Sequence, residues 1–264
     1  MDSRLGVLES GETYLVVRTR PLVACLLHWV LFLSIVVLVI TGYYIGDPQF
    51  YYGRGEAYQA FAMAEMRLYH LYASWAMVFV LVSRFYLAFT ESCNHDIKQF
   101  LPTPKNIVNA VKLAIYFVTF RGENAHYRFV NPLGGIGIFM MAIFMLTQTI
   151  TGISLYSAGT GAGSLWWVFG SPVDTMLEGQ QNVRLIHHLV MYFLMFVILI
   201  HVYMQVWKNS VFTESDISSI IAGYKIFPLS QIGHFADYYG LRLTEDAPAK
   251  KRMDEVSTEM EKDK

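Results

Sequence analysis

Residues 184–201 read RLIHHLVMYFLMFVILIH, an apolar run that contains three histidines, His187, His188 and His201. A helix of about 20 apolar residues is long enough to cross the hydrocarbon core of a membrane. Ionisable side chains inside a bilayer are costly, so histidines at that depth indicate a functional role. This stretch therefore predicts a membrane helix that carries a buried site.

Three other stretches have the same apolar character. Together with the first run, the predicted spans are 22–45, 66–90, 133–156 and 183–207, because only a helix of this length satisfies its own backbone hydrogen bonds in lipid. A shorter run, 107–120, is interrupted by Lys112 and predicts an amphipathic helix at the membrane surface. We therefore expect an all-α membrane protein built as a four-helix bundle.

The composition supports this class and excludes others. Hydrophobic residues make up 54% of the 264-residue chain and charged residues only 16%, less charge than a soluble domain carries. The net charge of −1 gives no basic surface for a nucleic-acid partner. Cys25 and Cys93 are the only cysteines, so iron–sulfur clusters, covalent haem and a nickel–iron centre are not expected in this chain.

The distribution of Lys and Arg predicts the orientation, since basic segments between spans stay in the cytoplasm. The predicted outward segments contain one basic residue, Arg54. The N-terminal segment and the segment between spans two and three are basic, with Arg4, Arg18, Arg20, Lys98, Lys105, Lys112, Arg121 and Arg128. We therefore expect residues 1–21 and 208–264 to be cytoplasmic and to flank a membrane domain of residues 22–207, with disorder from about residue 244.

Helix geometry separates the three histidines of the last span. His187 and His201 are 14 residues apart, nearly four turns and about 21 Å, so they face the same way. His188 faces away from His201 and is better placed as a polar neighbour. The same 14-residue step from His70 in span two reaches Arg84. Its charge could pair with a haem propionate or reach lipid headgroups.

Depth in the membrane predicts how the histidines pair. His28 and His201 each lie about six residues inside the predicted cytoplasmic ends of their spans, and His70 and His187 about four residues inside the outward ends. These depths predict two bis-histidine haem sites, one near each membrane surface. Haem iron with two histidine ligands has no open position for substrate, so such sites are suited to electron transfer.

Short repeated strings suggest a duplicated bundle. Spans one and three both end in Ile-Thr-Gly, at 40–42 and 150–152, and spans two and four both open with Arg-Leu followed two residues later by His70 or His187. Gly42 and Gly152 could admit a porphyrin edge, and we interpret them as small residues for helix packing.

The strings His28-Trp29 with Ser34 and Ile40-Thr41-Gly42, and Arg184-x-x-His187-His188-Leu189 with His201, resemble the b-type cytochrome subunit of membrane-bound nickel–iron hydrogenases. The segment Asn131-Pro132-Leu133 resembles that family too. The resemblance covers about residues 18–207, and none of the departures from the family pattern, at Arg20, Tyr192 and Val197, removes a predicted ligand.

The resemblance implies a four-helix cytochrome in the bacterial inner membrane with two non-covalent haems b. It implies that the chain is part of a hetero-oligomer and contacts the small subunit of a periplasmic hydrogenase, which also has a large subunit. Electrons from H2 would pass to menaquinone or ubiquinone. The axial ligands that it implies are His28, His70, His187 and His201.

Three alternatives remain at this point. The related gamma subunit of membrane-bound formate dehydrogenases has the same helix count and ligand pattern, so the catalytic partner could be a formate dehydrogenase or another quinone-linked oxidoreductase. A transporter or proton channel could use membrane histidines as a relay. A membrane anchor without a cofactor is the third alternative.

Overall fold

The computed structural model describes residues 3–7, 13–48, 61–89, 101–119, 131–211 and 216–228. The C-terminal tail for which disorder is predicted lies outside these residues. In chain order the elements are β1 Ser3–Val7, β2 Thr13–Arg18, α1 Leu22–Gly46, α2 Ala62–Ala88, α3 Pro104–Thr119, α4 Pro132–Ser157, α5 Leu165–Met176, α6 Gln180–Val211, α7 Asp216–Ile221 and β3 Tyr224–Pro228.

Four helices in the described residues are long and apolar enough to cross a membrane, which confirms the four predicted spans: α1, α2, α4 and α6. The first and third agree with the predicted bounds to within one residue. Helix α6 begins earlier than predicted and continues to Val211. His201 therefore lies ten residues before the end of its helix instead of six, because the helix continues past the apolar part of its sequence.

The chain divides into two compact units. One comprises Met1–Cys25, Gln99–Ile136 and Met204–Lys264, and the other comprises Leu26–Lys98 and Gly137–Tyr203. The first unit therefore contains the segments before the first span and after the fourth, and the greater part of the segment between the second and third spans. The second unit contains the greater part of the four membrane helices.

The first unit contains a three-stranded antiparallel sheet, which the sequence analysis did not predict. Strand β2 lies in the middle, with Leu15 opposite Leu5 of β1 and Phe227 of β3. The carbonyl of Gly223 accepts hydrogen bonds from the backbone N–H groups of Thr19 and Arg20, at 2.9 and 3.1 Å. Gly223 has φ +82°, and a Cβ there would lie 2.6 Å from the Arg20 carbonyl oxygen, so only glycine fits this corner.

The predicted amphipathic helix is present as α3. It covers Pro104–Thr119, whereas the predicted bounds are 107–120. Ala110 and Leu113 are buried. An exposed apolar stripe follows a helical period on another side, at Ile107, Val111, Ile115 and Val118. Lys105 and Lys112 lie outside that stripe. A helix with an exposed apolar stripe flanked by lysines is typical of the membrane interface.

In the second unit, four helices meet at one apolar cluster. Its buried residues are Met77 of α2, Met145 of α4 and Leu194 of α6, and α1 contributes partly buried side chains such as Ile35. Elsewhere on these helices the large apolar side chains are exposed, as is expected where lipid covers the surface. The cluster is therefore the centre of the bundle.

Helix α4 begins with a capping residue that the sequence makes visible. The Asn131 side-chain oxygen accepts a hydrogen bond from the Gly134 N–H at 2.6 Å, and Pro132 occupies the first helical position. This combination satisfies one free N–H group and places proline where its missing N–H costs nothing.

Helix α5 lies in the predicted outward segment between the third and fourth spans, where no helix was expected. Ser164 caps it by accepting a hydrogen bond from the Trp167 N–H at 3.2 Å. Trp166 packs edge-on against Trp75 of α2 and Tyr156 of α4, with ring centroids 5.4 and 5.6 Å apart. Trp166 is therefore a packing residue, whereas Trp167 and Phe169 are exposed.

Replacement of Gly170 by alanine is expected to destabilise the protein. Gly170 is buried, and a Cβ at this position would overlap the side chain of Ser157 on α4. Overpacking of this kind costs about 1–3 kcal/mol, so the thermal unfolding midpoint of the purified protein should fall. Gly137→Ala is the control, because a Cβ at Gly137 meets nothing within 4 Å. Equal midpoints for the two variants would contradict the packing of α5 on α4.

Candidate functional site

His70 of α2 is paired with a threonine of α1. The Nδ1 atom of His70 lies 2.9 Å from the Thr41 Oγ1 atom. The Thr41 hydroxyl donates to the Val37 carbonyl at 2.7 Å, as threonines in helices often do. A hydroxyl has one proton, and here it is used by that carbonyl. The Thr41 oxygen is then placed to accept from His70, an arrangement that favours the ring proton on Nδ1 and the lone pair on Nε2.

His187 of α6 makes the same contact with helix α4. Its Nδ1 atom lies 2.8 Å from the Thr151 Oγ1 atom, and the Thr151 hydroxyl donates to the Thr147 carbonyl at 2.7 Å. The same proton count leaves the lone pair on Nε2 of His187. In addition, the Gln148 side-chain N–H group donates to the His187 backbone carbonyl at 2.7 Å.

The glycine after each threonine lies against the same histidine ring. A Cβ at Gly42 would lie 3.4 Å from the His70 Cε1 atom, and a Cβ at Gly152 would lie 3.5 Å from the His187 Cε1 atom. The two Ile-Thr-Gly strings found in the sequence therefore occupy equivalent positions. The helix-packing interpretation of these glycines is thus incomplete, because what they pack against is a histidine ring.

His188 points to a different helix from its neighbour. Its Nε2 atom would lie 3.2 Å from a Cβ at Gly46 of α1, whereas the Nδ1 atom of His187 contacts Thr151 of α4. The ring centroids of His187 and His188 are 6.3 Å apart, and the angle between the ring planes is 74°. Adjacent histidines on α6 therefore have distinct environments, as the helical rotation between them requires.

His28 of α1 and His201 of α6 lie in the second unit, at the end opposite to His70 and His187. Both side chains are half-buried, as is Arg84 of α2. The His28 ring contacts Trp29 edge-on at 6.0 Å. Helix α6 is continuous from Gln180 to Val211, so His187 and His201 are separated by about 21 Å of helix.

The apolar cluster lies midway between these two levels. Leu194 is seven residues after His187 and seven before His201, and Met77 is seven residues after His70 and seven before Arg84. Seven residues are nearly two helical turns, so each step returns to the same face. Half-buried polar side chains at both ends and buried apolar side chains in the middle thus form three layers.

Residues 19–223 match the family described as prokaryotic cytochrome b561. The chain belongs to that family.

Similar proteins have been named in several bacteria. The chain is 32% identical over 243 residues to the probable Ni/Fe-hydrogenase B-type cytochrome subunit of Azotobacter chroococcum mcd 1, a match that covers 83% of this chain and 95% of that protein. The subunit of the same name in Cupriavidus necator is 26% identical over 84% of this chain and 92% of its own length. The probable Ni/Fe-hydrogenase 1 B-type cytochrome subunit of Escherichia coli K12 is 24% identical, covering 78% and 89%.

A b-type cytochrome has haem b as its cofactor, and the residues of this cytochrome b561 fit that group. Haem iron is commonly bound by a neutral imidazole nitrogen. With Nδ1 directed at a threonine oxygen whose own proton goes to a backbone carbonyl, His70 and His187 are each suited to present the Nε2 lone pair to iron. With its four apolar helices, this cytochrome b561 is an integral membrane protein.

Three residues of the site were not predicted from the sequence: Thr41, Thr151 and Gln148. The signal that could have identified the threonines was the Ile-Thr-Gly repeat, which was taken only as evidence of duplication. The repeated threonine stands beside a repeated glycine, and both face a histidine. Gln148 stood out as an amide inside an apolar run, where a polar side chain needs a partner.

Proposed function

We propose that this chain is a dihaem cytochrome b that transfers electrons from a periplasmic nickel–iron hydrogenase to quinone in the bacterial inner membrane. The observation that carries the proposal is the pair of equivalent Thr–His contacts, at 2.9 and 2.8 Å, in a chain of the cytochrome b561 family. The names of its relatives support a hydrogenase as the partner.

In this proposal His70 and His187 bind one haem and His28 and His201 bind the other. A haem with two histidine ligands supplies a one-electron carrier that has no open position for substrate. The continuous helix α6 holds His187 and His201 at a fixed separation. Arg84 supplies a positive charge for a haem propionate near the inner site.

The apolar layer between the sites has a separate role. Met77, Met145 and Leu194 are each at most 7% exposed, and packed apolar side chains exclude water. Among the described residues, the side chains of this cluster offer a proton no hydrogen-bonding group, whereas an electron can cross an apolar layer. Such a layer lets charge move across the membrane without a parallel leak of protons.

The division of the chain into units supports the proposed orientation. Most of the predicted cytoplasmic segments belong to one compact unit, which contains residues 1–21, 99–132 and 208–264. Arg20, Lys105 and Lys112 are among the described basic residues of that unit, in agreement with the tendency of basic segments to remain in the cytoplasm. The hydrogenase would then bind at the opposite, periplasmic side.

Visible difference spectra of the purified membrane complex test the proposal. We expect two haems b per chain by pyridine haemochrome analysis, reduction of both by H2, and reoxidation by added quinone. Formate replaces H2 in the matched control and is expected to reduce neither haem.

Each other result has a defined meaning. Reduction by formate and not by H2 would assign the chain to a formate dehydrogenase and would contradict the hydrogenase partner. Reduction by dithionite alone would contradict both partners. A purified chain without haem would contradict the electron-transfer proposal as a whole.

A further inference from the structure

We propose that Thr41 and Thr151 are positioning residues that fix the proton of His70 and His187 on Nδ1, so that each ring presents Nε2 to the haem iron. This inference rests on the proposed function, because it assumes that these histidines are axial ligands. It adds two residues and one chemical role that the ligand set alone does not contain.

The first step is the proton count at each threonine. A free imidazole can carry its proton on either nitrogen, and a hydroxyl beside it could either donate or accept. In this protein the hydroxyl proton is directed to a carbonyl of the same helix, at 2.7 Å in both cases. The backbone therefore sets the direction of the Thr–His hydrogen bond, which leaves only one ring tautomer.

The second step is the position of the ring. The Cε1 atom lies between the two ring nitrogens, and it faces the glycine that follows each threonine, 3.4 and 3.5 Å from the place where a Cβ would stand. The ring is thus held at Nδ1 by a hydrogen bond, and its Cε1 edge faces a position without a side chain. The hydrogen bond and the nearby helix together define the orientation of the ring.

The two helix pairs, α1 with α2 and α4 with α6, make the same contacts. The Thr–His distances differ by 0.1 Å, and so do the Cε1 distances to the glycine positions. The contacts involve different helix pairs, α1 with α2 and α4 with α6. Independent packing would not be expected to give the same two contacts twice, so the arrangement has a common function.

The two helix pairs differ at the position three residues before the threonine. Three residues before Thr151 is Gln148, whose amide holds the His187 carbonyl. Three residues before Thr41 is Leu38, a member of the apolar cluster. The backbone of His187 therefore has an additional polar contact to the opposite helix.

The chemical effect follows from how an axial imidazole is tuned. A ligand histidine that donates its other N–H group is a stronger base towards the metal, and loss of such a partner typically lowers metal affinity about 10–100-fold. Thr41→Val and Thr151→Val keep the side-chain shape and remove the acceptor oxygen. Each should weaken haem binding and raise the midpoint potential of one haem only.

Matched variants make the test specific. Thr41→Ser and Thr151→Ser retain the hydroxyl and are expected to restore wild-type affinity and potential. Thr149→Val is the control, because the Thr149 hydroxyl also donates to a carbonyl of α4, that of Met145, and it should leave both haems unchanged. The measurements are haem content, a redox titration of each haem, and the EPR g values of the ferric form.

A measurement on the unaltered protein does not depend on folding of the variants. After exchange into D2O, pulsed EPR should detect a deuteron on the nitrogen remote from iron in both ligand rings of the outer site. Iron bound through Nδ1, or no exchangeable proton on the remote nitrogen, would overturn the inference.

The variants can also contradict it. Valine variants that match wild type in haem affinity and potential, or serine variants that behave like valine variants, would exclude the positioning role. If wild type has two haems while these results are obtained, only the inference fails. Absence of haem from wild type would be a failure of the proposed function itself.

Discussion

The variant His187→Leu should lose about half of the haem of the wild-type protein, whereas His188→Leu should retain all of it. The two histidines are neighbours on α6, yet only His187 combines the Thr151 hydrogen bond with a ring packed against Gly152. His188 lies against Gly46 of another helix. Leucine has a similar volume and suits the membrane, so any difference between the variants comes from the lost ligand.

The measurement is the pyridine haemochrome content per chain, with the amount of purified protein as reference. The haem that remains in His187→Leu should have the potential of the inner site, because His28 and His201 are unchanged. Loss of haem from His188→Leu with full retention in His187→Leu would reverse the assignment. Loss of all haem from both variants would show that the sites do not form independently.

The membrane helices could be predicted from sequence because a bilayer imposes one simple requirement. A helix must be apolar for about 20 residues, and that property is visible without knowledge of any neighbour. Helix α1 accordingly begins at the predicted residue, Leu22. Prediction was poorer for α6, whose polar ends continue the helix beyond the lipid-facing stretch and leave no sharp change in composition at Val211.

Features that depend on distant partners could not be predicted in this way. Strands β2 and β3 are separated by about two hundred residues, and their pairing becomes visible only when both segments lie together. Helix α5 is short and contains Pro172 and Gly170, which obscure its helical pattern in the sequence. Both elements are outside the spans, where the bilayer no longer restricts the fold.

The candidate site could be predicted only in part from the sequence. Periodicity along one helix identified His187 as facing the same way as His201, because that argument needs only the rise and rotation of a helix. The Thr41 and Thr151 contacts require knowledge of which helices are adjacent. The Ile-Thr-Gly string occurs twice, and in both places its threonine contacts a histidine of another helix. The sequence alone does not identify that partner.

The apolar layer between the two histidine levels gives the second large expected effect. Leu194 is 6% exposed and contacts the cluster of Met77 and Met145, whereas Leu199, five residues later on the same helix, is 66% exposed. Lipid is as apolar as leucine, so the stability of such a layer comes mainly from close packing of side chains. Removal of a buried leucine side chain leaves a cavity that its neighbours fill only in part.

We therefore expect Leu194→Ala to lower the free energy of unfolding by about 2 kcal/mol, and Leu199→Ala to change it by less than about 0.5 kcal/mol. Both variants remove the same atoms from the same helix, so helix propensity and composition cancel in the comparison. Unfolding in mixed detergent and SDS micelles, followed by circular dichroism, measures the difference without reference to haem. Equal losses would mean that Leu194 does not lie in a packed layer, and the separation of the two polar levels would then lack its structural basis.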